Sequence, residues 1–224
     1  MARAAAEAVA RHGFATLKLK TGQGLARDAA ALDAIRAAVG PGVALYADSN
    51  RAYPSEDVAA VTAVFAERDV VCAEDPCALA PDRAFAAIRD AAQVPLLIDG
   101  PCRDLATARL FVEVGAEALS VKVGKSGIDE SLAIAAMASN GGARVHVGML
   151  AEAELGALAA ASLAAVLAGS RGGDWLPCES SYFLQLPARI LKEPLTIAGG
   201  MLALPEAAGF AALVDWAAVK RLAP

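Results

Sequence analysis

Val43-Ala44-Leu45-Tyr46-Ala47-Asp48 is an apolar run closed by a carboxylate, and Val94-Pro95-Leu96-Leu97-Ile98-Asp99 repeats the pattern fifty-one residues later. Neither run alternates polar with apolar residues. Strands of that kind are covered on both faces, as in parallel sheets. Working outward, β-rich runs are read at Phe14–Lys20, Val43–Asp48, Val70–Glu74, Val94–Asp99, Ala118–Lys122 and Arg144–Gly148, with a weaker one at Asp174–Glu179. Helical patterns lie between them, at about 24–39, 56–68, 81–92, 103–115, 127–139 and 153–169. In the first of these, Leu25, Ala29, Leu32, Ile35 and Ala38 fall near one face of a 3.6-residue period, and Pro41-Gly42 ends it. Ser55 followed by Glu56 and Asp57 marks a helix start. Seven strands alternating with six helices make a βα repeat of parallel strands, which is a doubly wound sheet or a (β/α)8 barrel.

The ends of the strands choose the barrel. Lys18 and Lys20, Asp48, Glu74, Asp99 and Lys122 close successive strands, at intervals of 28, 26, 25 and 23 residues counted from Lys20. Each interval is one βα unit, and in a barrel the C-terminal strand ends face a common mouth. Charged groups ending buried strands are costly unless paired or bound to a cation. Three carboxylates without Cys or His make a hard-oxygen site, suited to Mg²⁺ or Mn²⁺. Without a cation they repel, and at least one carries a proton. Lys18 and Lys20 are two apart, so both point to one face of their strand. Two adjacent ammonium groups lower each other's pKa and make one available as a base.

Composition excludes several classes. The 224 residues are 57% hydrophobic and 20% charged, and 57 are Ala, so the chain is a folded, helix-rich one rather than a disordered one. Net charge is −5 with no basic stripe, which argues against nucleic acid and against an anionic membrane surface. The longest uncharged stretch, Leu155–Ser170, is too short to span a bilayer, and the N-terminus lacks a signal-peptide core. A cytoplasmic location is expected. Cys72, Cys77, Cys102 and Cys178 form no C-x2-C pair and His12 lies far from His146, so four reduced thiols are expected rather than a zinc site. Gly22-Gln23-Gly24 reads as a turn, not a phosphate cradle.

These residues together resemble the barrel domain of the enolase superfamily, in the muconate lactonizing subgroup of the mandelate racemase/muconate lactonizing family. Leu17-Lys18-Leu19-Lys20 matches its K-x-K strand, Asp48-Ser49-Asn50 its D-x-N strand and Glu74-Asp75-Pro76 its E-[QD]-P strand. Asp99 matches the third metal ligand, and Val121-Lys122 the opposite lysine. Gly148-Met149-Leu150-Ala151-Glu152 resembles the seventh-strand motif, Cys178-Glu179-Ser180 the eighth strand of the cycloisomerases, and Glu193-Pro194-Leu195 their tail.

The resemblance implies a TIM-like (β/α)7β barrel, without the N-terminal capping domain and first barrel strand. It implies a partial barrel over 1–183 and a C-terminal tail over 184–224, containing irregular structure and a short helix near 214–221. It also implies that Asp48, Glu74 and Asp99 bind Mg²⁺ or Mn²⁺, which holds a small carboxylic-acid substrate and stabilises its enolate. Lys20 is then the acid/base on one face, Lys18 lowers its pKa, and Lys122 serves the other face. Asn50, Glu152 and Glu179 support the ring. A muconate cycloisomerase-like isomerase is implied first, with dipeptide epimerase, o-succinylbenzoate synthase and sugar-acid dehydratase as alternatives. A homo-oligomer is implied as well.

Three departures bear on this. Gly100 stands where the family carries Glu after the third ligand, Gly127-Ile128 replaces a Gly-Gly turn, and the missing cap and strand leave a catalytically silent remnant as a second reading. His146 reads as structural, Lys125 as a surface lysine, and Trp175 and Trp216 as packing residues.

Overall fold

Period-two alternation governs the sheet in a computed structural model that describes residues 1–168 and 176–222. Six parallel strands run in the order β1 (Thr16–Lys20), β2 (Ala44–Asp48), β3 (Val70–Glu74), β4 (Leu96–Ile98), β5 (Ala118–Val121) and β6 (Arg144–Val147). One set of side chains, including Leu19, Leu45, Ala47, Ile98, Leu119, Val121, Val145 and Val147, packs under the helices in the main core. The alternate set, Tyr46, Cys72, Leu97 and Ala118, forms a second cluster on the opposite face with Leu176. Both faces are therefore covered. The charged strand ends belong to the second face, one step beyond this apolar layer.

The sheet is curled. Tyr46 of β2 and His146 of β6 are four strands apart in order, about 19 Å in a flat sheet. Their rings nevertheless meet edge-on with centroids 5.7 Å apart. This is the curvature of a barrel wall.

The connecting helices are α1 (Ala2–His12), α2 (Leu25–Val39), α3 (Val58–Ala66), α4 (Arg83–Ala91), α5 (Leu105–Glu113), α6 (Val123–Asn140) and α7 (Glu154–Leu167). Local chemistry sets their ends. Asp82 and Asp104 cap α4 and α5, accepting from Ala84 N–H and Thr107 N–H. A short 3-10 turn at Ser55–Asp57 precedes α3 where a single helix is predicted. Helix α6 starts four residues before its predicted start, with a kink at Gly127 (φ 78°).

Among the described residues, the seventh predicted strand is not found. Asp174 and Trp175 lie outside the described residues, and 176–179 carry no strand. That segment touches the sheet through Glu179 N–H, which donates to Val147 O at 2.9 Å. The Gly199-Gly200 stretch, predicted irregular, turns a hairpin between β7 (Ile197–Ala198) and β8 (Met201–Leu202). Both glycines have positive φ, as a two-residue type I′ turn requires. The hairpin meets the end of α1 so closely that a Cβ on Gly13 would lie 2.7 Å from Gly199 Cα. The final helix α8 (Trp216–Leu222) is found where expected, but Trp216 is 58% exposed, so the packing role expected of it is not seen.

Buried Glu154 at the start of α7 pins the tail. Its carboxylate accepts from Ile190 N–H and Leu195 N–H, both at 3.2 Å, and pairs with Arg189. Around it, Ala157 and Leu158 pack on Phe183, Leu191, Leu195 and Val214. Glu154→Ala is expected to cost at least about 2 kcal/mol in urea unfolding, because it strands buried N–H groups. A change below about 0.5 kcal/mol would remove Glu154 as the pin.

Candidate active site

The site lies at the C-terminal ends of the curled strands. The backbone register sets Lys20 beside Asp48 and Asp48 beside Glu74. Asp48, Glu74 and Asp99 are all buried, although each is ionisable. What offsets their burial is lysine. Lys18 Nζ sits 3.0 Å from Asp48 Oδ2, 2.9 Å from Glu74 Oε1 and 2.9 Å from Glu179 Oε1. Lys20 Nζ donates to Asp48 Oδ2 at 2.6 Å and to Asn50 Oδ1 at 2.9 Å. Across the ring, Lys122 Nζ donates to Asp99 Oδ2 at 2.6 Å. Lys125 Nζ donates to Asp99 Oδ1 at 3.2 Å and to its carbonyl oxygen at 2.7 Å.

The electrostatics follow from this count of charges. Burial lowers the pKa of Lys18, but Glu74, Glu179 and Asp48 together raise it above the ordinary range. Lys20 helps to balance Asp48, but Lys18 serves both Glu74 and Glu179 as well. Glu74, the most enclosed, is pushed up to about 8, first by burial and then by Asp48, Glu179 and Asp99, against the pull of Lys18. The sequence reading asked for a protonated carboxyl in the absence of another cation, and Glu74 is the candidate. Asp99 goes the other way. Burial opposes its ionisation, but Lys125 and Lys122 hold it down at about 2.

Among the described residues, no three His, Cys, Asp or Glu side chains form a ready-made cage for an ion. Lysine ammonium groups stand between the carboxylates instead. The donor set still fits a hard dication. Glu74 Oε2 is buried and accepts no hydrogen bond, with Lys18 Nζ 2.8 Å away as an ion-pair partner. Glu74 also feels Asp48 and Asp99 directly, so the three carboxyls share one region of field. Once ionised, three buried carboxyls are an acceptor-only oxygen set that would suit Mg²⁺ or Mn²⁺.

The remaining predicted residues divide. Asn50 reaches Lys20, and its own N–H donates to Asp48 Oδ1 at 2.9 Å. Glu179 reaches Lys18. Among the described residues Glu152 shows no lysine contact; its carboxylate accepts from Leu150 N–H at 2.6 Å. Lys125 corrects the sequence reading, since its side chain is 14% exposed rather than on the surface. The first turn of α6, starting right after Lys122, carries it back over Asp99. Sequence reasoning also missed Asp75. It is buried and accepts from Asp99 N–H at 3.1 Å and Gly100 N–H at 2.7 Å, tying the end of β4 to that of β3. Gly100 makes this possible, because a Cβ there would lie 2.9 Å from Asp75 Oδ2. Gly148 has a similar use, since a Cβ would come within 2.7 Å of Lys122 Cε.

His146 reads as structural in the sequence. It is buried below the ring, and burial pushes its pKa down to about 4 despite Glu179 nearby. An unfolded histidine titrates near 6.5. Between those values the unfolded chain binds a proton that the native chain refuses. Stability is therefore expected to fall as pH drops through that window, by up to about 1.4 kcal/mol per pH unit from this group. His146→Gln should flatten that slope in urea unfolding at pH 7, 6 and 5; an unchanged slope would show that the imidazole is not held neutral.

Comparison with known proteins follows this geometry. Residues 1–218 match the family described as Enolase C-terminal domain-like. A hydrophobic dipeptide epimerase of Enterococcus faecalis is 30% identical over 154 residues, covering 68% of this chain and 43% of that protein. Muconate cycloisomerase 1-2 of Acinetobacter lwoffii is 30% identical over 208 residues, covering 92% of this chain and 53% of that protein. The chain thus spans about half the length of the curated relatives it matches. The structure of the E. faecalis dipeptide epimerase, complexed with Mg and the dipeptide L-Leu-L-Tyr, aligns with TM-score 0.79 and 27% identity over 93% of this chain and 58% of that one. A muconate lactonizing enzyme from Pseudomonas fluorescens, complexed with muconolactone, aligns with TM-score 0.84 and 24% identity over 98% of this chain and 58% of that one, a likeness of fold. With strands, strand-end charges and sequence match all in agreement, the chain belongs to the enolase C-terminal domain-like family, whose relatives here are epimerases and cycloisomerases.

Proposed function

We propose that this chain carries the machinery for removing a proton α to a carboxylate, in a muconate cycloisomerase-like isomerase. The observation that carries the reading is the ring itself: three buried carboxyls at adjacent strand ends, flanked by Lys20 on β1 and by Lys122 after β5. In this reading Asp48, Glu74 and Asp99 hold Mg²⁺ or Mn²⁺. When bound, the cation supplies positive charge for the substrate carboxylate and for the charge that grows on it as the proton leaves.

The chain's own residues do the rest. Lys20 takes and returns the proton at Nζ, and its side chain is 65% exposed, so it can meet a substrate from the mouth. Asn50 and Asp48 hold it from below. Lys122 serves the opposite face from a fixed seat on Asp99. Lys18 stays charged beneath them and keeps the carboxyls from repelling one another.

A dipeptide epimerase is the second reading, favoured by the match to the E. faecalis protein. Both readings are tested by incubating the chain with Mg²⁺ in deuterated water, with muconolactone and with a series of dipeptides. Deuterium uptake at the α-position is the expected result, and the substrate that exchanges separates the two readings. No uptake from any of them, in a folded chain that binds Mg²⁺ by calorimetry, would leave the catalytically silent reading standing.

A further inference from the structure

Glu179 sits in a segment that forms no strand among the described residues, and its N–H donates to Val147 O of β6 as described above. Three further contacts hold its carboxylate. Met149 N–H donates to Oε2 at 3.2 Å, Lys18 Nζ lies 2.9 Å from Oε1, and the Tyr46 hydroxyl donates to the same Oε1. Tyr46 cannot swing away. It is 2% exposed, packed among Cys72, Leu97, Ala118 and Leu176, and held edge-on by His146.

We infer that Tyr46 is a positioning residue, whose buried hydroxyl holds the Glu179 carboxylate against Lys18. The effect passes upward through shared atoms. Lys18 and Lys20 address the same oxygen, Asp48 Oδ2, at 3.0 and 2.6 Å. Loss of the hydroxyl leaves Oε1 with Lys18 as its partner among the described residues and frees the carboxylate to rotate. Lys18 then loses its third anchor, and Lys20 shares Asp48 with a mobile neighbour. As a statement about Lys18 the inference stands on geometry; as a statement about turnover it rests on the proton-abstraction reading.

Tyr46→Phe removes one oxygen and keeps the ring. The first readout is the ¹⁵N ammonium spectrum of the metal-free chain, which has six lysines, with the Lys18 signal assigned by its loss in Lys18→Arg. The Lys18 ammonium is expected to exchange with water faster in Tyr46→Phe than in the native chain. A native exchange rate would overturn the inference. The second readout is deuterium uptake. Its kcat should fall about 10- to 100-fold with KM within about twofold, and Tyr46→Phe with Glu179→Gln should be no slower than Glu179→Gln alone. Additive losses would overturn the chain of contacts. If Tyr46→Phe does not fold, 3-fluorotyrosine at position 46 strengthens the donor without removing it. A displaced Lys18 signal then supports the inference and an unmoved one overturns it. If the native chain exchanges no substrate, the proton-abstraction reading fails, while the ammonium spectrum still decides the role of Tyr46.

Discussion

Lys20→Ala is expected to lower Mg²⁺-dependent deuterium uptake by about 10² to 10⁴, the range for removing a general acid/base. The fold should be unaffected. Lys20 is the exposed member of the lysine pair and contributes no buried apolar surface. Its Asp48 partner keeps Lys18 at 3.0 Å, so no carboxylate is left without a cation. Mg²⁺ affinity should be unchanged or higher, since a competing positive charge is gone from Asp48 Oδ2. Urea unfolding, calorimetric Mg²⁺ titration and mass-detected exchange read these three quantities separately. Uptake at the native rate would remove Lys20 from the chemistry.

Lys18→Met is expected to do the opposite: a large loss of stability in the metal-free chain. The Lys18 ammonium is the cation within 3.0 Å of Asp48, Glu74 and Glu179. Methionine fills similar space without charge. Removing one partner of a buried ion pair leaves uncompensated charge, at a cost of about 3–5 kcal/mol. Asp48 keeps Lys20, so the loss falls on Glu74 and Glu179, and the cost is expected to grow as pH rises through about 8, where Glu74 ionises. Urea unfolding of the native and variant chains measures the difference. Millimolar Mg²⁺ should stabilise the variant more than the native chain, because the carboxyls then have a cation in common. A cost below 1 kcal/mol would show that Lys18 does not hold the ring. Equal stabilisation of both chains by Mg²⁺ would show that the three carboxyls do not share an ion.

The two lysines therefore divide the work although they stand two residues apart on one face of β1. Lys18 points into the apolar layer's upper edge and is 17% exposed, while Lys20 emerges at the mouth. Depth along the strand, rather than residue type, separates a charge that holds carboxyls together from one that can reach a substrate. The K-x-K spacing put both on the inner face; it did not say which was the deeper.

By itself, the sequence determined the parts that depend on near neighbours along the chain. Unbroken apolar runs in Val43–Asp48 and Val94–Asp99, period 3.6 in Leu25–Ala38, and one βα unit between successive strand-end charges were enough for the parallel sheet and for Lys20, Asp48, Glu74, Asp99 and Lys122 at one end of it. These are consequences of backbone geometry, which is local. Tertiary structure alone decided who meets whom across the curl. Tyr46 reads in sequence as one more apolar strand residue, and it touches His146 and Glu179 because the sheet bends β2 toward β6. Lys125 reads as a surface lysine, and the first turn of α6 swings it back onto Asp99. The weak run ending at Glu179 reads as a strand, yet residues 176–179 pair as no strand. Strand pairing depends on the neighbour offered by the rest of the fold, and a ring contact depends on the radius of the sheet; neither quantity is encoded within a few residues of the side chains concerned.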